Sequence, residues 1–273
     1  MRPLDWDDLT RELDLWADSG RIATLWWRDD DAVEPTRALE RLFDLADASG
    51  VEIGLAVIPA NAREALAAAL DGRSHVAILQ HGYRHRNHAP KGTPAVECGG
   101  ARSVDTVLTE MRAGRARMQE LFAARAEPIL AAPWNRIDPP VLVRLGEAGF
   151  AGASAMGARA LMAGANGLVV VNAHLDPLNW KERRFAGLAK ALSGLTSELR
   201  DRRTGATEAD EPLGLLTHHL DHDAETWSFV ERLLEVTAAH PAVRWIGARG
   251  LFSEAGRAAS VARMERSAMR GGG

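Results

Sequence analysis

A single cysteine, Cys98, is all the thiol chemistry in this 273-residue chain, and its setting, Glu97-Cys98-Gly99-Gly100, holds no second sulfur. One thiol closes no intrachain disulfide and forms neither a redox pair nor a zinc knuckle. Positive charge is also short, with 33 Lys and Arg against 37 Asp and Glu and a formal net charge of -4. Nucleic-acid binding depends on basic side chains neutralising phosphates, so no nucleic-acid partner is expected. No run approaches the roughly 20 apolar residues of a membrane span, which argues against a membrane partner. Residues 1–16 are acidic and amphipathic rather than basic and then apolar, unlike a secretory signal. Together these absences predict a cytoplasmic location, and a reducing compartment suits the lone thiol.

What is present is the composition of a large globular core, 46% hydrophobic and 26% charged. Short apolar runs at 22–27, 51–58, 75–80, 129–132, 150–154, 168–172, 213–217 and 243–246 alternate with longer helix-period segments. The segment 36–49 is one such helix, with Leu39, Leu42, Phe43 and Ala46 on one stripe and Gly50 placed for a left-handed cap. Ser103 opens a helix to about 125, Asp138 caps one to about 148 with Pro139-Pro140 in its first turn, and 181–200 reads as another. Strand, helix, strand in repetition predicts parallel pairing through crossover helices. The expected fold class is α/β, an irregular (β/α) barrel of about seven parallel strands. There is no internal repeat and no long linker, so residues 1–273 read as one catalytic-type domain with its core at about 20–252. The tail at 255–273 ends in three glycines and is expected to fray.

The polar residues fall at the ends of the apolar runs. Arg28-Asp29-Asp30-Asp31 follows the first run and His81-Gly82-Tyr83-Arg84-His85 the third. Pro133-Trp134-Asn135 follows the fourth, Asn172 to Asp176 the sixth, and His218-His219 the seventh. In a barrel of parallel strands the site lies at the C-terminal strand ends, so these clusters should converge on one mouth. Two histidines at this spacing can put two imidazole nitrogens on one cation, with a carboxylate as third ligand and a position left for water.

These motifs, in this order, resemble the polysaccharide deacetylase superfamily (NodB homology, carbohydrate esterase family 4). That family has an Asp-Asp pair, a His-x-x-x-His, an Arg-x-Pro-aromatic, an Asp-x-x-Asp-Trp and a Leu-x-His. Here Asp30-Asp31, His81…His85, Ala131-Ala132-Pro133-Trp134, Asp176-Pro177-Leu178-Asn179-Trp180 and Leu216-Thr217-His218 stand in the same order. Arg before the acidic pair and His-Gly-Tyr-x-His resemble a divergent branch of that superfamily. The resemblance implies a metal-dependent hydrolase that removes an acyl group, acetyl above all, from an amide (C–N) or ester of a carbohydrate or small molecule. It further implies Asp31, His81 and His85 as metal ligands, Asp30 as general base, His218 as general acid and the Trp134 backbone N–H as oxyanion donor. Leu216 would line the acyl pocket. The triple aspartate leaves a second register open, with Asp29 as base and Asp30 as ligand; the later pair is preferred because Arg28 then stands two residues before it. The cofactor implied is a divalent metal, zinc first, with iron, cobalt or manganese compatible with the same donors.

Two departures from the family pattern bear on chemistry. Its motif-three Arg, which orients the base, is Ala131 here, leaving Arg28 or Arg136 for that role. The second Asp of its fourth motif, which tunes the acid histidine, is Asn179, with Asp176, Asp221 or Asp223 as possible substitutes. They motivate an alternative, a pseudoenzyme or ligand-binding barrel that keeps its metal without deacetylase activity. An amidohydrolase of a small nitrogen compound is a third reading. His219 is expected to face away from His218, since adjacent strand residues alternate. His88, His174 and His222 read as peripheral, and Trp6, Trp16, Trp227 and Trp245 as core.

Overall fold

A computed structural model describes residues 2–158, 167–209 and 211–253, so the 255–273 tail lies outside the described residues. The strands are β1 (Ala23–Ala32), β2 (Ile53–Val57), β3 (Val76–His81), β4 (Ala126–Ala131), β5 (Gly152–Ser154), β6 (Val169–Val170), β7 (Leu178–Asn179), β8 (Arg184–Phe185), β9 (Leu213–Thr217) and β10 (Val243–Trp245). The helices are α1 (Trp6–Asp18), α2 (Arg37–Ser49), α3 (Glu64–Leu70), α4 (Val104–Phe122), α5 (Pro139–Arg144), α6 (Leu188–Thr204), α7 (Ala224–Ala238) and α8 (Ala248–Leu251).

Seven strands pair in parallel in the order β9-β1-β2-β3-β4-β5-β6, and β10 pairs with the first residues of β1. The sheet curls until its edges meet: beyond β6 the chain bridges Leu175 to Leu215, with Leu216 N donating to Leu175 O at 2.8 Å. The architecture is the expected irregular (β/α) barrel.

Alternation along β1 sorts its side chains between two cores. Leu25 and Trp27 join a cluster beneath the helices with Leu39, Leu42, Phe43 and Leu233. Trp26 points inward, among Ala56, Ala77, Leu79, Ile129, Ala131 and Val171. Small residues make that interior possible; a Cβ on Gly214 would stand 2.5 Å from Trp26 Nε1. By the same alternation Arg28 and Asp30 follow Trp26 inward.

Three expectations are corrected. The first strand does not stop at 27 but runs through Arg28, Asp29 and Asp30 to Ala32, because each of those buried charges finds a partner inside the protein. Residues 181–187 are not helical: β8 lies there, paired antiparallel with β7, Asn179 Oδ1 accepts from Lys181 N at 3.2 Å, and the helix begins at Leu188 after Gly187 at φ 93°. Asp138 precedes α5 without capping it; its carboxylate instead accepts from Gly100 N at 2.9 Å.

Candidate active site

The C-terminal ends of the strands open on a cavity of about 790 Å³ whose lining includes Asp30, Asp31, His81, His85, Trp134, Asp176, Trp180 and His218. A second cavity, of about 440 Å³, lies at the opposite ends of the strands, lined by Thr24, Leu213 and Arg244 among others, away from these groups.

Asp31, His81 and His85 come together. Asp31 Oδ1 is 3.3 Å from His81 Nε2 and 3.4 Å from His85 Nε2, and the three ligand atoms lie within 4.8 Å of one another. His81 ends β3 and faces the barrel interior. Asp31 and His85 reach the same point through left-handed backbone, with φ 73° and 53°. Non-glycine residues adopt that conformation at a cost, and Trp134 (52°), Asn135 (56°) and Arg183 (49°), which also line the cavity, share it.

The donor set fits a divalent cation. His81 Nδ1 lies 3.1 Å from the Ala131 carbonyl oxygen, which holds the proton of the neutral ring on Nδ1 and aims the Nε2 lone pair at Asp31. Among the described residues, Asp31 Oδ1 is buried without a hydrogen-bond partner. One carboxylate oxygen and two imidazole nitrogens converging in this way are a donor set suited to a divalent cation. Burial pushes Asp31 up, but the facing His81, His85 and His218 outweigh it and hold the carboxyl far below the usual range. Burial likewise lowers His81, yet Asp30 and Asp31 raise it overall, whereas His85 is lowered by burial and by His81.

Asp30 sits beside this cluster, gripped by Arg28. Arg28 Nε is 2.9 Å from Asp30 Oδ1, and Nη2 donates to Oδ2 at 3.1 Å; the side chains are 0% and 2% exposed. The guanidinium is fixed in turn by Ser154 Oγ at 2.6 Å and by Asn135 Oδ1. Of the two arginines considered for the place of the absent motif-three Arg, Arg28 is the one that grips Asp30. Arg136 donates to Ala95 O at 3.2 Å and is not the group that holds Asp30. His218 Nε2 approaches Asp30 Oδ2 from β9 at 4.0 Å, with Trp180 edge-on to its ring at 4.5 Å.

Asp29 points the other way. His219 Nδ1 is 2.5 Å from Asp29 Oδ1, while Thr217 Oγ1 and His219 N donate to Oδ2 at 2.7 and 3.1 Å. Burial lowers His219, but Asp29 outweighs burial and raises it. The register with Asp29 as base would need Asp29 in the cavity, and it faces the helices instead.

Of the three carboxylates considered for the place of Asn179, Asp223 caps α7 through Thr226 N at 2.7 Å and Asp221 pairs with Arg183. Asp176 lines the cavity, accepts from Trp180 Nε1 at 2.7 Å and is raised by burial. Among the described residues, His218 Nδ1 is buried without a hydrogen-bond partner. Leu216 is fully buried; among leucines Leu178 lines the cavity. His174 packs beneath, accepting from Gly214 N at 3.1 Å, and His222 Nε2 accepts from His218 N at 3.3 Å.

Sequence reasoning missed Glu97. This buried carboxylate, 1% exposed, accepts from four successive backbone amides, Tyr83 N (3.1 Å), Arg84 N (2.9 Å), His85 N (3.2 Å) and Arg86 N (3.3 Å). Nothing in Glu97-Cys98-Gly99-Gly100 marks that role except an acid beside glycines.

No family model matches the chain, and no curated protein matches it. Solved structures do. A protein from Mycobacterium smegmatis described as a polysaccharide deacetylase superposes with a TM-score of 0.59 at 16% identity, over 95% of both chains. The peptidoglycan deacetylase PdaC from Bacillus subtilis gives 0.52 at 11% identity, covering 90% of this chain and 97% of that one. The Bc1960 peptidoglycan N-acetylglucosamine deacetylase gives 0.50 at 12%, covering 88% and 96%. The chain thus has the fold of the polysaccharide deacetylases.

Proposed function

We propose that this protein is a metal-dependent hydrolase that removes an acyl group, acetyl foremost, from an amide or ester of a carbohydrate or small molecule. The observation that carries the reading is the convergence of Asp31, His81 and His85 beside an Arg28-held Asp30, with His218 across the same cavity. The names of the structural neighbours point the same way.

Asp31, His81 and His85 would hold the cation, zinc by preference. When bound, it supplies Lewis acidity that polarises the acyl carbonyl and lowers the pKa of water. Asp30 takes the proton of the attacking water. Its pairing with Arg28 fixes the carboxylate in place. The backbone N–H of Trp134 donates to the oxyanion that forms on the carbonyl oxygen. His218 Nε2 gives a proton to the leaving nitrogen or oxygen, and Asp176 and Trp180 flank it. Leu178 and the indoles of Trp134 and Trp180 wall the space in which the acyl compound sits.

The test is acetate release by zinc-loaded protein from a panel of N-acetylated amino sugars, O-acetylated sugars and small N-acyl amides. His81→Ala and His85→Ala should lose bound metal and activity together. Full activity in metal-free protein would overturn the metal dependence. Persistent inactivity with metal and a ligand bound would favour the non-catalytic barrel that Asn179 and the unpartnered His218 Nδ1 leave as the second reading.

A further inference from the structure

We infer that Glu97 is a positioning residue for the metal centre: its buried carboxylate holds the 83–86 loop in the one conformation that brings His85 Nε2 onto Asp31. This rests on the metal-centre reading.

The geometry is that of an anion cradled by consecutive backbone N–H groups. Oε1 takes Arg84 N and Arg86 N, and Oε2 takes Tyr83 N and His85 N. Such a row of amides satisfies a charge that burial would otherwise penalise, and in return fixes the backbone that bears them. His85 needs fixing, because its φ of 53° lies where a free chain seldom rests. Gly82 is shaped to the same carboxylate: at φ 58°, a Cβ there would fall 1.9 Å from Glu97 Oε2.

Glu97 is anchored from behind. Arg102 donates to its carbonyl oxygen and to Glu110 of α4 at 2.5 Å. Cys98 O accepts from Asp138 N at 2.9 Å, and Cys98 bridges Ile137 in parallel. One segment therefore ties the ligand loop to the strand-end loop of Trp134, whose ring packs 4.2 Å from that of His85. The neighbours that fix a ligand's orientation govern metal affinity, their loss costing about 10- to 100-fold.

Glu97→Gln tests this, because an amide presents an NH₂ to two of the four N–H groups. Metal-free wild-type, Glu97→Gln, Glu97→Asp and His85→Ala proteins are titrated with Co²⁺ and with Zn²⁺, reading the Co²⁺ d–d spectrum and the metal Kd. Glu97→Gln should bind about 10- to 100-fold more weakly and shift its spectrum toward that of His85→Ala, while Glu97→Asp, which keeps both oxygens, recovers part of the affinity. Wild-type binding with an unchanged Kd and spectrum in Glu97→Gln overturns the inference and leaves the metal centre standing. No stoichiometric binding by wild type overturns the metal reading itself. Failure of both Glu97 variants to fold assigns the residue to general stability and also overturns the inference.

Discussion

Asp29 and Asp30 are neighbours with opposite surroundings, and the difference is a matter of one residue of strand alternation. Asp30 shares a face with Arg28 and looks into the cavity; Asp29 shares a face with Trp27 and meets His219 beneath the helices. The roles should separate on mutation. Asp30→Asn is expected to lose about 10²- to 10⁴-fold in kcat/KM with its metal retained, as removal of a general base does. Asp29→Asn is expected to cost roughly 3–5 kcal/mol of stability, because His219 is left as an uncompensated buried group. Activity assays, metal analysis and urea unfolding of the two variants decide it; loss of metal in Asp30→Asn with an unimpaired Asp29→Asn fold would sink the assignment. The inward pairing of Arg28 with Asp30 was legible as an i,i+2 spacing once β1 is carried far enough. Asp31 was not readable in the same way, since its φ of 73° breaks the alternation and only then swings it toward His81 and His85.

At the scale of elements, most strands were legible because each is centred on a short, mostly apolar run; 213–217 coincides with β9. The β7–β8 pair was not, because two-residue strands carry no periodicity and their partners are set by Asp176 and Asn179 turning the backbone locally. Glu97 escaped for a related reason: its partners are backbone amides, which have no sequence signature. The turn after β9 yields a pH prediction. His222 there is pushed down to about 4 by burial and by the nearby His218 and His219, against Asp29 and Asp223, which raise it. Its folded pKa lies below its unfolded value near 6.5, so the unfolded chain binds the extra proton and stability falls as pH drops from about 6.5 toward 4. The loss is on the order of 3 kcal/mol. Metal-free wild type and His222→Asn, which keeps an acceptor for His218 N without titrating, are compared by urea unfolding across that range. The wild type should lose stability relative to the variant as pH falls; a constant difference would exclude His222 as the cause.

Over the whole molecule, the ends of the barrel divide the work. The bridge from Leu175 to Leu215 closes the sheet, and the interior is packed by Trp26 and Phe252 below the level of Arg28. The mouth thus carries unsatisfied donors on a rigid base, which is how a preorganised site is supported. Among the described residues no helix is long and apolar enough to cross a membrane. Because Asp31 lies near the end of β1, His81 ends β3 and His85 lies beyond it, a cation bound to all three ties separate strands of the folded state and none of the unfolded chain. Free Zn²⁺ at 100 times its Kd should therefore stabilise the protein by about 2.7 kcal/mol. For a chain of this size that is a rise in Tm of roughly 5–10 °C, reversed by a chelator. His85→Ala should show little of it at the same zinc concentration, whereas Arg244→Ala, in the cavity at the far ends of the strands, should show all of it and keep wild-type activity. Calorimetry of the three proteins with zinc and with chelator measures this directly. An equal rise in His85→Ala would mean that zinc stabilises the fold from somewhere other than the barrel mouth.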